Sequence, residues 1–290
     1  MKSDYLFFEG IAAPANRPLA VPRSFVAHDS CDEIAASVHA FFETLLAQVQ
    51  LRRTAYRCQA LERRLAACLR FLRVATPDEA RRKLEQQPHL ASATVSVALL
   101  GVTDFFRDRL VFDRIHEYVL PLLLAQHERL RIWSAACSDG PELYSVAMLL
   151  AERRQLERCE LLGTDCREDA IACARTGRYA LERAMRIDVR WRDRFMNRVA
   201  DEADVIEPLR RATLWKVADI FGEPESGPWH LILWRNMAIY LEPLVAETVW
   251  QKLCDQLAPG GFLVTGKADY APQGLPLVRV SNCVYRKHGR

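Results

Sequence analysis

The chain has 290 residues, with 40 Lys and Arg against 37 Asp and Glu, a net charge of +3. Half of it is hydrophobic and 27% is charged, which fits a folded globular chain and excludes a collagen-like, low-complexity or wholly disordered one. So small a positive charge does not by itself mark a nucleic-acid binder, and the best apolar run, Tyr118–Ala125, is far too short to span a membrane.

The first 30 residues carry three prolines and little periodicity and read as an irregular arm. Their opening, MKSDYLFFEG, holds Asp4 and Glu9 and lacks a secretory core. From Asp32, the apolar residues Ile34, Val38, Phe41, Phe42, Leu45, Leu46 and Val49 recur at helical spacing. A second helix is predicted over Gln59–Arg73, with Leu61, Leu65, Cys68, Leu69 and Leu72 as its stripe. Thr76-Pro77-Asp78-Glu79 predicts a capped helix start, with proline at the first helical position. That helix ends before Pro88, and another follows over Ala91–Leu100. Residues 31–100 therefore read as a helical domain. Within it, residues 52–83 hold ten basic side chains against three acidic ones. This is either a solvated helix surface or a docking face for an acidic partner helix. Helical spacing puts Arg57, Arg64 and Arg53 on a related side. The stretch lacks the aromatic platforms that suit nucleic acid.

From Arg131 the pattern changes to α/β. Strands are predicted at Arg131–Ala136, Cys159–Thr164, Ala212–Val217, Trp229–Trp234 and Phe262–Thr265. A terminal hairpin follows at Leu277–Val280 and Cys283–Arg286. Helices are predicted at Pro141–Arg154, Glu168–Thr176 with Gly177 as its stop, and Leu244–Leu257, with a turn at Pro259–Gly261. Alternation of this kind gives a mainly parallel sheet over residues 101–290. A polar, basic stretch around 180–211 reads as an inserted subdomain. The nine cysteines are an odd, dispersed set, which predicts a reduced, cytoplasmic chain without a disulfide framework. Cys159, Cys166 and Cys173 have no CxxC or histidine pair beside them, so no metal is predicted.

The segment WSAACSDG joins a strand to a helix through a short Gly-containing loop, a unit that binds nucleotides or anions. It lacks both G-x-G-x-x-G and G-K-[ST], which points to a ligand without phosphates. Asp165, at the end of the next strand, can accept from both hydroxyls of a ribose or can cap the helix behind it.

Five segments in order resemble the CheR family of chemotaxis receptor methyltransferases: GVTDFFRD, RIWSAACSDGPELYSVAMLLAE, LLGTDCREDAIACARTGRY, WHLILWRNMAIYLEP and APGGFLVTGKADY. The resemblance covers residues 34–287. It implies a Rossmann-like S-adenosylmethionine-dependent methyltransferase fold behind an N-terminal helical domain. It also implies S-adenosylmethionine as cofactor, S-adenosylhomocysteine as product, and a receptor glutamate as methyl acceptor. By that resemblance, Thr103 and the loop residues Ala135, Ala136, Gly140 and Glu142 bind the cofactor, with Glu142 toward its methionine part. Asp165 holds the ribose, Asp219 stands beside the adenine, and Arg235 and Asn236 line the site. Arg107, near both cofactor and acceptor, and Tyr240, in the acceptor cleft, are the implied catalytic residues. The implied partner is an acidic, glutamate-bearing receptor helix on the basic helices, with no nucleic acid and no membrane insertion.

Three departures from the family's pattern stand out. Pro141 and Leu143 replace a glutamate and a proline. Lys267-Ala268-Asp269 replaces a neutral pair and a glutamate. The stretch between Arg194-Phe195 and Glu207–Arg210 lacks the glycine-rich tip that some members use for receptor tails. Two rival readings follow: a methyltransferase for another protein or a small molecule, and a catalytically weak receptor-binding module.

Overall fold

The computed structural model describes residues 31–99 and 103–289. The expected arm over residues 1–30 lies outside the described residues.

Four helices come first: α1 (Cys31–Gln48), α2 (Cys58–Leu72), α3 (Pro77–Gln86) and α4 (Ala91–Ala98). Phe41, Phe42, Leu45 and Leu46 form the buried stripe of α1, and Leu61, Cys68 and Leu72 that of α2. Thr76 caps α3, accepting from Glu79 N at 3.2 Å. The Glu79 carboxylate returns to Ala75 N at 2.8 Å, one residue before the cap.

Next come α5 (Arg109–Arg114), a widened helical turn over Ile115–Val119, and α6 (Leu120–Gln126). The sequence predicts no helix here. The apolar run Tyr118–Ala125 belongs to this stretch, and Val119, Leu120 and Leu123 are fully buried. Pro121 has no N–H to give and breaks the period. The widened turn just before it is where the helix absorbs the mismatch.

The α/β part then runs β1 (Leu130–Ala135), α7 (Pro141–Glu152), β2 (Cys159–Asp165), α8 (Glu168–Thr176), β3 (Arg178–Ala180), α9 (Leu181–Ala184) and α10 (Val189–Phe195). It continues with β4 (Met196–Val199), β5 (Glu202–Val205), α11 (Glu207–Ala212), β6 (Thr213–Val217), β7 (Trp229–Trp234), α12 (Pro243–Gln256), β8 (Leu257–Thr265), β9 (Leu277–Ser281) and β10 (Val284–Lys287). The main sheet has the order β6-β2-β1-β7-β8-β10-β9. β6, β2, β1, β7 and β8 are parallel, and β10 runs antiparallel to β8 and β9.

Both faces of the central strands β1, β7 and β8 are buried, and alternate strand residues enter different cores. Ile132, Leu231, Leu233, Phe262 and Val264 face the layer of α5, α6 and α7. Trp133, Ile232, Trp234 and Leu263 face α12 and the N-terminal helices. This two-sided burial is why the strands read as continuous apolar runs. The N-terminal helices thus supply part of a core that the sheet completes.

Two expectations need correction. The turn at Pro259–Gly261 lies inside β8, which begins at Leu257 and pairs with Trp229 across a register shift. Gly260, at φ +75°, allows that irregular backbone. Arg53 is buried in a short turn before α2, and Arg64 is half-buried with its guanidinium on Val97 O, so of the three only Arg57 is exposed. Residues 178–205 also form a separate antiparallel sheet, β3-β5-β4.

Candidate active site

A pocket opens at the carboxyl ends of β1, β2, β6 and β7. β1 and β7 are adjacent, and the chain winds outward from them in both directions. Ligands of open parallel sheets bind at such a switch point. Thr103, Arg107, Ala136, Glu142 and Asp165 line the pocket, as do Asp219, Arg235, Asn236 and Tyr240. The structure therefore brings together nine of the residues singled out in the sequence.

Ala135 and Gly140 do not line it. Ala135 is the buried last residue of β1 and packs in the core shared with the N-terminal helices. Gly140 opens α7 at φ +95°, and a Cβ there would lie 2.6 Å from the Trp215 ring. Its missing side chain admits an indole rather than a ligand.

The loop after β1 is sharply folded. Ala136 and Ser138 both have positive φ, and Cys137 N donates to Thr164 O at 2.8 Å. Asp165 accepts from Ser138 N at 2.8 Å and from Arg167 N and Nε, each at 3.0 Å. Burial works against the Arg167 charge, but the Asp165 carboxylate outweighs it and holds the guanidinium above its ordinary pKa. Across the pocket, Asp219 accepts from Phe221 N at 3.0 Å, and burial pushes its carboxyl up.

Arg235, from the end of β7, has no exposed side-chain surface. It pairs with Glu142 of the first turn of α7. It also donates to Asp108 Oδ2 at 2.8 Å, Arg107 O at 3.0 Å and Thr265 O at 3.3 Å. Lys267 Nζ reaches Asp108 at 2.8 Å. Burial raises the Asp108 carboxyl, but Lys267, Arg235 and Arg107 outweigh it and hold its pKa below the usual range. Lys267, one of the departures noted in the sequence, thus completes this network. The other departures, Pro141 and Leu143, are buried in α7, so packing absorbs them.

Arg107 is placed by its aromatic neighbours. Phe105 meets Tyr179 edge-on at 5.0 Å, and Phe106 stacks on Trp191 at 4.3 Å. Phe106 N also donates to Ser145 Oγ of α7 at 2.9 Å. The inserted region braces the same wall. Tyr179 Oη donates to Asp139 O at 2.6 Å, and Arg183 pairs with Asp139 and donates to Thr103 O at 3.0 Å.

Tyr240, 41% exposed, lies at the rim of the pocket. The N-terminal helical part holds its peptide. Arg57 N donates to Tyr240 O at 2.9 Å, Tyr56 and Leu241 form a β-bridge, and Glu242 N donates to Ala55 O at 3.0 Å. Asn236, at φ +58°, and Gly266 both donate backbone N–H to Asp269, whose carboxyl burial pushes up.

Sequence reasoning missed Tyr56, Ser138, Cys166, Arg167 and Met237, which also line the pocket. Tyr56 lies between helices and carries no pattern. For Arg167 a signal existed, since a cation two residues after a strand-end acid is placed to pair with it.

Two lining atoms show what the pocket accommodates. Thr103 Oγ1 and Asn236 Oδ1 are buried without a hydrogen-bond partner. Buried polar groups are normally satisfied, so these two, with Asp165 and Asp219, fit a ligand rich in hydroxyl and amine donors. A nucleoside with an amino-acid tail has that character.

Residues 101–282, more than half of the chain, match the family model described as CheR methyltransferase, SAM binding domain. A chemotaxis protein methyltransferase of Listeria innocua is 26% identical over 237 residues, covering 81% of this chain and 90% of its own. Chemotaxis protein methyltransferase 2 of Pseudomonas aeruginosa is 29% identical over 238 residues, covering 79% of this chain and 85% of its own. Among the described residues no helix is long and apolar enough to cross a membrane.

Proposed function

Because the chain belongs to the CheR family of S-adenosylmethionine-dependent methyltransferases, we propose that it methylates glutamate side chains of a chemoreceptor or a related signalling protein. The observation that carries the reading is one pocket lined together by Asp165, Asp219, Arg107 and Tyr240. These residues come from four separate stretches of chain.

The orphaned Thr103 and Asn236 atoms and the two carboxylates fit the cofactor, and each residue has a task there. Asp165 accepts from the ribose hydroxyls. Asp219 accepts from the adenine amine. Glu142, anchored by Arg235, faces the ammonium of the methionine part. When bound, S-adenosylmethionine would supply a sulfonium-bound methyl group; a carboxylate oxygen would bond to its carbon as the S–CH3 bond breaks with its electron pair returning to sulfur, giving a methyl ester and S-adenosylhomocysteine.

A glutamate has a reference pKa of about 4.3 and is ionised at neutral pH, so the chain needs no general base. Its work is to orient and to exclude water. Arg107 presents a planar donor fork to the acceptor carboxylate. Tyr240 donates its hydroxyl to the same group, and its ring walls the cleft. Arg63 and Arg70, seven residues apart and exposed on α2, offer an acidic receptor helix two cations on one face. The reading places the chain in the cytoplasm, recruited to membranes only through its receptor.

The test is transfer of labelled methyl to receptor fragments. Base-labile label on glutamate is the expected result. Label on another residue type, or none with cofactor bound, would remove the glutamate assignment.

A further inference from the structure

The proposed function seats a ribose on Asp165, yet that carboxylate has no vacant acceptor site. An ionised carboxylate offers about four lone-pair directions, and four donors already occupy them. Two are loop amides, Ser138 N on Oδ2 at 2.8 Å and Arg167 N on Oδ1 at 3.0 Å. The other two belong to the Arg167 guanidinium, with Nε on Oδ1 at 3.0 Å and Nη2 on Oδ2 at 3.4 Å. Nη2 also donates to Ser138 Oγ at 2.9 Å, which ties the loop after β1 to the loop after β2. The two side chains are only 10% and 7% exposed, and both line the pocket.

A ribose with vicinal hydroxyls needs two acceptor directions. The amides are fixed by the backbone, and moving them would open both loops. The guanidinium sits on a flexible side chain and uses the same number of directions that the diol requires. We infer that Arg167 is an internal competitor for the cofactor. It neutralises Asp165 and must swing away before the ribose can bind. Cofactor affinity is then the difference between two charge-assisted pairings of one carboxylate, and it is lower than Asp165 alone would give. The inference rests on the cofactor reading above and makes Arg167 a positioning residue that sets affinity without touching the methyl group.

The experiment is calorimetry with S-adenosylhomocysteine on the parent protein, Arg167→Met and Arg167→Gln. Methionine keeps the apolar stem, and glutamine fills the space with an uncharged amide, so one variant serves if the other fails to fold. Binding about tenfold tighter in the variants is the expected result, equivalent to about 1.4 kcal/mol. The gain should disappear when the ligand lacks both ribose hydroxyls, which a merely structural role would not produce. Parent binding that the variants leave unchanged or weaken overturns the competition and leaves the cofactor site standing. An equal gain with the dideoxy ligand also overturns it. If neither parent nor variants bind, the cofactor reading itself falls.

Discussion

Arg235 shows how a single residue can organise a site it does not need to leave. Its guanidinium is sealed from solvent, and it joins Glu142 of α7, Asp108 of the loop before α5 and the carbonyl of Arg107. Replacing it by methionine would strand Glu142 in a dry environment, while Asp108 would keep Lys267. Arg235→Met should cost about 3–5 kcal/mol of stability by urea denaturation, because a broken buried pair leaves an uncompensated charge. Asp269 behaves differently, since burial raises its pKa in the fold. A raised acid costs stability above its unfolded pKa, and that cost is relieved as pH falls through the raised value. The stability of Asp269→Asn relative to the parent should therefore decline between about pH 7 and pH 4. A constant difference across that range would show that the charge is not penalised. Among single residues, acids and arginines at strand ends were legible, because strand ends are where such sheets bind ligands. Tyr56 was not legible, since only tertiary docking brings its linker to the pocket.

Elements were legible where period and punctuation agreed. Glu168–Thr176 with its Gly177 stop, and Trp229–Trp234, fall where the sequence placed them. The strands β3, β4 and β5 were hidden because three or four polar-rich residues are too few to show an alternation. α5 and α6 were hidden by Pro121 and the widened turn. At this scale β2 and β6 depend on one close approach. A Cβ at Gly163 would come within 2.4 Å of the Trp215 ring. Gly163→Ala should lower stability by about 1–3 kcal/mol, as overpacking of a filled core does. A smaller side chain at position 215 should recover part of that loss in a double-mutant cycle, while a loss unaffected by residue 215 would place the strain elsewhere.

For the whole molecule, the charge is unevenly placed, and α2 carries Arg63 and Arg70 outward while Arg53 turns inward. Arg64 gives two of its donors to Val97 O, at 3.1 and 3.0 Å. Reversing both outward charges with Arg63→Glu and Arg70→Glu should raise the KM for a receptor acceptor about tenfold and flatten its dependence on ionic strength. Affinity for S-adenosylhomocysteine should stay as it was. A KM that does not move would direct the search for the receptor contact to another face.

The short β-bridge between Tyr56 and Leu241 has a mechanical meaning for such a contact. The peptide just ahead of α2 is laced to the peptide bearing the phenol of Tyr240. A tug on one must therefore be felt by the other, without detour through the strands. On the proposed reading, grip and lip would be geared together, and a receptor seated askew would carry the lip out of alignment with the glutamate it offers.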